Sequence, residues 1–155
     1  MNTVFEKILE FFKNRRISYR HIHHQPTYTC EESAKARSES LEIGAKALLM
    51  KVDDIYSLFV LSASKQLDSK KIKKLLSTRS LRFASAEELL EQTSLVPGSV
   101  PPFGKPILPF QLYVDCSIEE LPHIAFNAGS LSDSLVISSK DYLNSCNGIV
   151  CTFSK

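Results

Sequence analysis

Cysteine is sparse in these 155 residues: Cys30, Cys116, Cys146 and Cys151 are scattered, and no two form a CxxC pair. That spacing argues against a disulfide framework and suits a reduced, cytoplasmic protein. Long apolar runs are also missing. The longest uncharged stretch, around 55–63, is under half of what a membrane span requires. Glu6, Lys7, Glu10 and Lys13 break up the apolar residues near the start, so no signal peptide is expected there. A serine nucleophile elbow, a Walker loop, GxGxxG and HExxH are all absent, which removes the common hydrolase, nucleotide-binding and zinc-protease readings. What is present is ordinary soluble composition, 43% hydrophobic and 23% charged. One domain over 1–155 is expected, large enough to bury a core without covalent staples.

The net charge of +2 conceals a division. From Lys65 to Arg82 seven bases (Lys65, Lys70, Lys71, Lys73, Lys74, Arg79, Arg82) face Asp68 alone. From Phe83 to Ser134 seven acids face Lys105 alone. A concentrated basic stripe on a near-neutral protein can attract a polyanion, although charge alone favours the plainer reading of a solvated helix face.

Local signals divide the chain into short elements. Thr3 with Glu6, Thr29 with Glu32 and Ser85 with Glu88 have capping-box spacing, predicting helices to about Asn14, Ser40 and Thr93. Asp68 should cap the basic helix, with Ile72, Leu75 and Leu76 turned inward. Strands are expected over 17–23, 45–52, 56–63, 81–84, 110–114, 123–127, 134–138 and 149–153, with a hairpin at Asp53-Asp54 and a short helix at 141–143. Pro97, Pro101, Pro102, Pro106 and Pro109 crowd 13 residues with Gly98 and Gly104. So many fixed φ angles imply an ordered loop, and long ordered loops in compact domains are usually functional. A mixed α/β (α+β) fold with a largely antiparallel or mixed sheet follows.

His21, His23 and His24 lie near Cys30, but no carboxylate or further Cys/His group falls at ligand spacing, so neither a metal nor another cofactor is expected. Two glycine loops, 97–104 and 127–133, could present backbone groups to a ligand at close approach, or be turns alone. Lys46 shares a strand face with Leu48 and Met50, either as a snorkelling edge residue or as a desolvated functional cation.

Together these residues resemble a known family. Thr29-Cys30-Glu31-Glu32-Ser33-Ala34, Gly44-Ala45-Lys46-Ala47-Leu48-Leu49, Leu67-Asp68 before the basic helix, the Gly98-x-x-x-Pro102 loop, and Ala128-Gly129 with Asp133 are similar, in order, to the YbaK/prolyl-tRNA synthetase-associated (INS-like) editing domains. The resemblance implies a curled, barrel-like mixed sheet with flanking helices. It implies a free-standing aminoacyl-tRNA deacylase that hydrolyses the ester of mischarged tRNA. By the same resemblance Lys46, Gly98 and Asp133 would be catalytic; Pro102, Phe103, Gly104, Ala128, Gly129 and Ser130 would bind substrate. Lys70, Lys71, Lys73 and Lys74 would contact tRNA. The implied partner is the misacylated acceptor end of tRNA, with an aminoacyl-tRNA synthetase as a second; neither DNA nor a membrane is expected. The competing reading is a catalytically silent tRNA- or synthetase-binding module of the same fold. A small-molecule ester hydrolase is disfavoured by the basic helix and the missing nucleophile.

Overall fold

A computed structural model describes residues 3–155. Helix α1 (Val4–Arg15) starts where Thr3 accepts the Glu6 N–H, and stops where Arg16 turns left-handed. It buries Ile8, Phe11 and Phe12, each contributing roughly 1.5–3 kcal/mol by leaving water. Strand β1 (Arg20–His23) follows, shorter than expected. Helix α2 (Cys30–Arg37) carries both halves of the Thr29–Glu32 capping box and ends at Ser38, also left-handed, before the predicted Ser40.

Strands β2 (Ala45–Val52) and β3 (Ile55–Ser62) form the hairpin at Asp53-Asp54. Helix α3 (Ser69–Leu75) is capped by Asp68, which accepts from the Lys70 and Lys71 N–H groups. Ile72 is buried, but Leu75 is half exposed rather than inward, because the short helix has one buried face and Leu75 lies off it. Strand β4 (Leu81–Phe83), helix α4 (Ala86–Thr93) with its Ser85–Glu88 box, and β5 (Gln111–Asp115) come next. Strands β6 (His123–Asn127) and β7 (Asp133–Ser138), helix α5 (Ser139–Ser145) and β8 (Ile149–Cys151) complete the chain. The proline-rich stretch between α4 and β5 has no regular element.

The expected single curled sheet is instead two sheets. One has order β1-β7-β6 and is antiparallel; the other has order β4-β2-β3-β5-β8 and is mixed. A lone bridge from Gly44 to Ala125 links them. The one-turn 3-10 helix Leu41–Ile43 immediately precedes Gly44, and from Ala45 the chain runs on as β2 paired with β3 and β4, so no ladder grows at that bridge. The main core fills the space between sheets, α1 and the proline-rich stretch. Phe103 lies at its centre, its ring 5.3–5.9 Å from those of Phe11, Phe12, Phe126 and Tyr142. A smaller core, with Met50, Phe59, Leu61, Ile72 and Phe153, lies on the opposite face of the mixed sheet under α3.

Candidate active site

The seam between the sheets leaves a cavity of about 160 Å³. One wall is the start of β2, Ala45–Leu48. Strand β4 pairs with β2 only from Met50 to Val52, so this half of the edge is uncovered. The Leu49 carbonyl points to that edge, where it accepts the Ala84 N–H at 2.9 Å. Ala47, two residues back, therefore presents its own N–H and C=O to the cavity. Lys46 lines the same wall, and its Nζ donates to the Lys65 carbonyl.

Gly98 and Val100, from the proline-rich stretch, form a second wall. Gly98 has φ +88°, a left-handed conformation that a side chain resists. The third wall is the turn into α2. Glu32 Oε1 accepts the N–H groups of Tyr28 (2.8 Å) and Thr29 (3.2 Å), and Thr27 is tied to the far sheet through its N–H to the Leu131 carbonyl, 3.0 Å. Tyr28 is 70% exposed at the mouth. Thr27, Cys30, Ser33, Arg37 and Asn127 complete the lining.

Arg37 is the least expected member. It is 7% exposed, and burial depresses its guanidinium to about 10. No carboxylate pairs with it among the described residues. From sequence it is a cation in the last turn of a helix, ordinary dipole complement, and nothing local reveals that it points inward. Asn127 reads from sequence as a strand end and as the first residue of the 127–133 glycine loop, with no sign that its own side chain faces the cavity.

The structure thus brings Lys46 and Gly98 to one cavity, but not Asp133. The Asp133 side chain lies on the outer face of the β1–β7 pair, where Oδ1 accepts from His21 Nε2 and His23 Nδ1, both at 2.9 Å. Burial pushes this carboxyl up, yet hydrogen bonds from His23, His21 and Ser130 outweigh that and hold it at about 2. The neighbouring Ser134 faces inward instead, as strand alternation requires.

The residues expected to bind substrate also lie elsewhere. Phe103, with no exposed surface to speak of, belongs to the aromatic core, and the Pro102 carbonyl accepts the buried Tyr142 hydroxyl at 2.6 Å. Gly104 is pressed against the Phe110 carbonyl, and Ala128 is fully buried. Gly129 packs on Val4 and donates to the Ser99 carbonyl, while Ser130 pairs with Ser132. These positions build the walls from behind, because apolar loop residues beside glycine are recruited by the nearest core. Of the basic helix, Lys70, Lys73 and Lys74 extend into solvent, whereas Lys71 Nζ donates to the Ser154 carbonyl at 2.7 Å.

The cavity contains two cations and no carboxylate, is too small for a nucleotide, and is open at an unpaired strand edge. The aminoacyl-tRNA editing domain model matches residues 24–144, and the chain belongs to that YbaK/ProX-like family. It is 31% identical over 144 residues to the multifunctional Ser/Thr-tRNA deacylase ProXp-y of Escherichia coli K12, covering 89% of this chain and 85% of that one. It is 35% identical over 100 residues to the proline–tRNA ligase of Shouchella clausii, covering 64% of this chain and 17% of the ligase. The crystal structure of a hypothetical protein superposes with TM-score 0.87 at 25% identity, over 97% of this chain and 100% of that one. Among the described residues no helix is long and apolar enough to cross a membrane.

Proposed function

We propose that this protein is a trans-editing deacylase that hydrolyses the ester of mischarged aminoacyl-tRNA, with serine and threonine as its preferred aminoacyl groups. The observation that carries the reading is the cavity itself: Lys46 and Gly98 on its walls, the free Ala47 edge between them, and space for an amino acid but not its nucleotide. A cavity of this volume holds a molecule about the size of benzene. The kinship with the Escherichia coli Ser/Thr-tRNA deacylase supports the choice of small hydroxylated side chains.

In this reading the ester carbonyl lies against β2. Water attacks the carbonyl carbon, the bond from that carbon to the ribose oxygen breaks, and the proton from water ends on the ribose oxygen. The Lys46 ammonium and the Ala47 N–H stabilise the oxyanion that develops, while the adjacent ribose hydroxyl assists the proton transfer. No covalent nucleophile is required, because the ester is already activated. The terminal adenosine stays outside, against exposed Tyr28 at the mouth or against exposed Phe83, which borders a neighbouring surface hollow that shares Ala47, Leu48, Gly98 and Val100 with the cavity. Aromatic faces suit unstacked bases. The basic helix supplies phosphate contacts farther along the acceptor arm.

A deacylation panel with tRNAs charged with Ala, Cys, Ser, Thr and Pro tests this. Ser- and Thr-tRNA should be cleaved fastest. Cleavage of none, by folded protein that still binds tRNA, would return the chain to a silent binding module.

A further inference from the structure

Arg37 is buried without a counter-ion among the described residues, so what it holds explains more than what it neutralises. Its Nε donates to Ser134 Oγ at 2.8 Å and its Nη2 to Asn127 Oδ1 at 3.0 Å. Ser134 Oγ also donates to Asn127 Oδ1, 3.1 Å. The carbonyl end of the Asn127 amide is therefore fixed, and its other end must face away. Asn127 Nδ2 donates to the Gly98 carbonyl at 2.8 Å. A primary amide fits a site nearly as well either way round, so its neighbours decide its orientation. Here the guanidinium decides, since a donor cannot face a donor. The Gly98 turn has no strand ladder of its own, and its second tie is the Gly129 N–H to the Ser99 carbonyl at 2.9 Å.

We infer that Arg37 and Asn127 are positioning residues that act in series: the guanidinium orients the Asn127 amide, and that amide latches the Gly98 carbonyl to the end of β6, fixing the cavity wall opposite β2. The latch is geometric; its use in turnover rests on the deacylase reading.

Asn127→Asp separates this role from simple stability. The substitution is nearly isosteric, gives Arg37 an anion, and removes the donor to Gly98. A merely structural Asn127 predicts unchanged or raised Tm and unchanged turnover. The latch predicts unchanged or raised Tm, faster amide hydrogen exchange at Ser99 and Gly129, and a kcat lowered by about tenfold or more with KM within about threefold. Rates are read on whichever of Ala-, Cys-, Ser-, Thr- or Pro-charged tRNA the wild type cleaves fastest. Arg37→Lys, whose single ammonium cannot serve Ser134 and Asn127 together, should also lower kcat, and combining it with Asn127→Asp should add little. Unchanged exchange at Ser99 and Gly129 in Asn127→Asp overturns the latch whether or not any tRNA is cleaved. Faster exchange with kcat within about twofold of wild type overturns the positioning role. Should the wild type cleave none of the five, the deacylase reading falls, while exchange alone still decides the latch.

Discussion

Lys46 reaches past the end of β3 to donate its ammonium to the Lys65 carbonyl, so a lysine on one strand is moored to the turn that follows its neighbour. The ammonium of this cavity-lining residue is held in one place before any substrate arrives, and a preorganised charge is worth most where an oxyanion develops. Lys46→Ala should lower kcat about a hundredfold, a loss on the order of 3 kcal/mol, with little change in Tm because the residue is only partly buried and belongs to neither core. Steady-state kinetics and a thermal melt check both halves; a large fall in Tm would mark the lysine as structural.

The local parts of this arrangement were legible before folding, and the non-local parts were not. Thr29 with Glu32 and Ser85 with Glu88 announce their helices because a capping box is complete within four residues. Lys46 and Gly98 could be joined only through family resemblance, since strand pairing at Gly44 and the latch at Asn127 bring them together from distant segments. Arg37 gives no signal in the sequence, because a helix-terminal arginine looks the same whether it faces water or the core. Phe103 and Ala128 read as ligand contacts for the converse reason: an apolar residue in a glycine loop gives no local sign of which side of the wall it occupies.

Lys71 differs from its neighbours on α3. Its ammonium clasps the Ser154 carbonyl and ties the helix to the chain end, while Lys70, Lys73 and Lys74 are free in solvent. Reversing Lys70 and Lys73 together should raise KM for aminoacyl-tRNA several-fold (roughly one decade at low salt) and flatten the salt dependence, leaving kcat and Tm nearly unchanged. Reversing Lys71 should in addition cost about 1 kcal/mol of stability, because the clasp is lost. Equal Tm for the two variants would contradict the clasp, and unchanged tRNA affinity in the first would leave the stripe a solvated face.

Asp133, held at about 2 by the two histidines, links folding to pH. Its folded value lies below the ordinary aspartate value of about 3.9, so its contribution is present above that value and is lost as pH falls toward about 2. Asp133→Asn forgoes that contribution at neutral pH. The gap in Tm between wild type and Asp133→Asn should therefore be steady above a pH of about 5, narrow below it and close by about 1. A gap that persists at the acid end would mean that packing of the 128–133 turn, not the carboxylate, is what the substitution damages.

Cys30 is the cysteine that lines the cavity, and burial pushes the Cys146 and Cys151 thiols up, away from nucleophilic use. If the substrate's own ester and ribose hydroxyl supply most of the reactivity, none of the four thiols is needed. Replacing Cys30, Cys116 and Cys151 by Ser and buried Cys146 by Ala should leave kcat within about threefold of wild type, provided the melt shows a folded protein. A tRNA ending in 2′-deoxyadenosine and charged at its 3′-hydroxyl should react at least about tenfold more slowly, because the neighbouring hydroxyl can no longer relay the proton. These two results separate the mechanisms cleanly. Thiol attack would form an acyl–sulfur bond and expel the ribose oxygen, so it would tolerate the deoxy substrate and fail without Cys30. A folded cysteine-free variant that is dead, beside an active Lys46→Ala, would replace water attack with that thioester route.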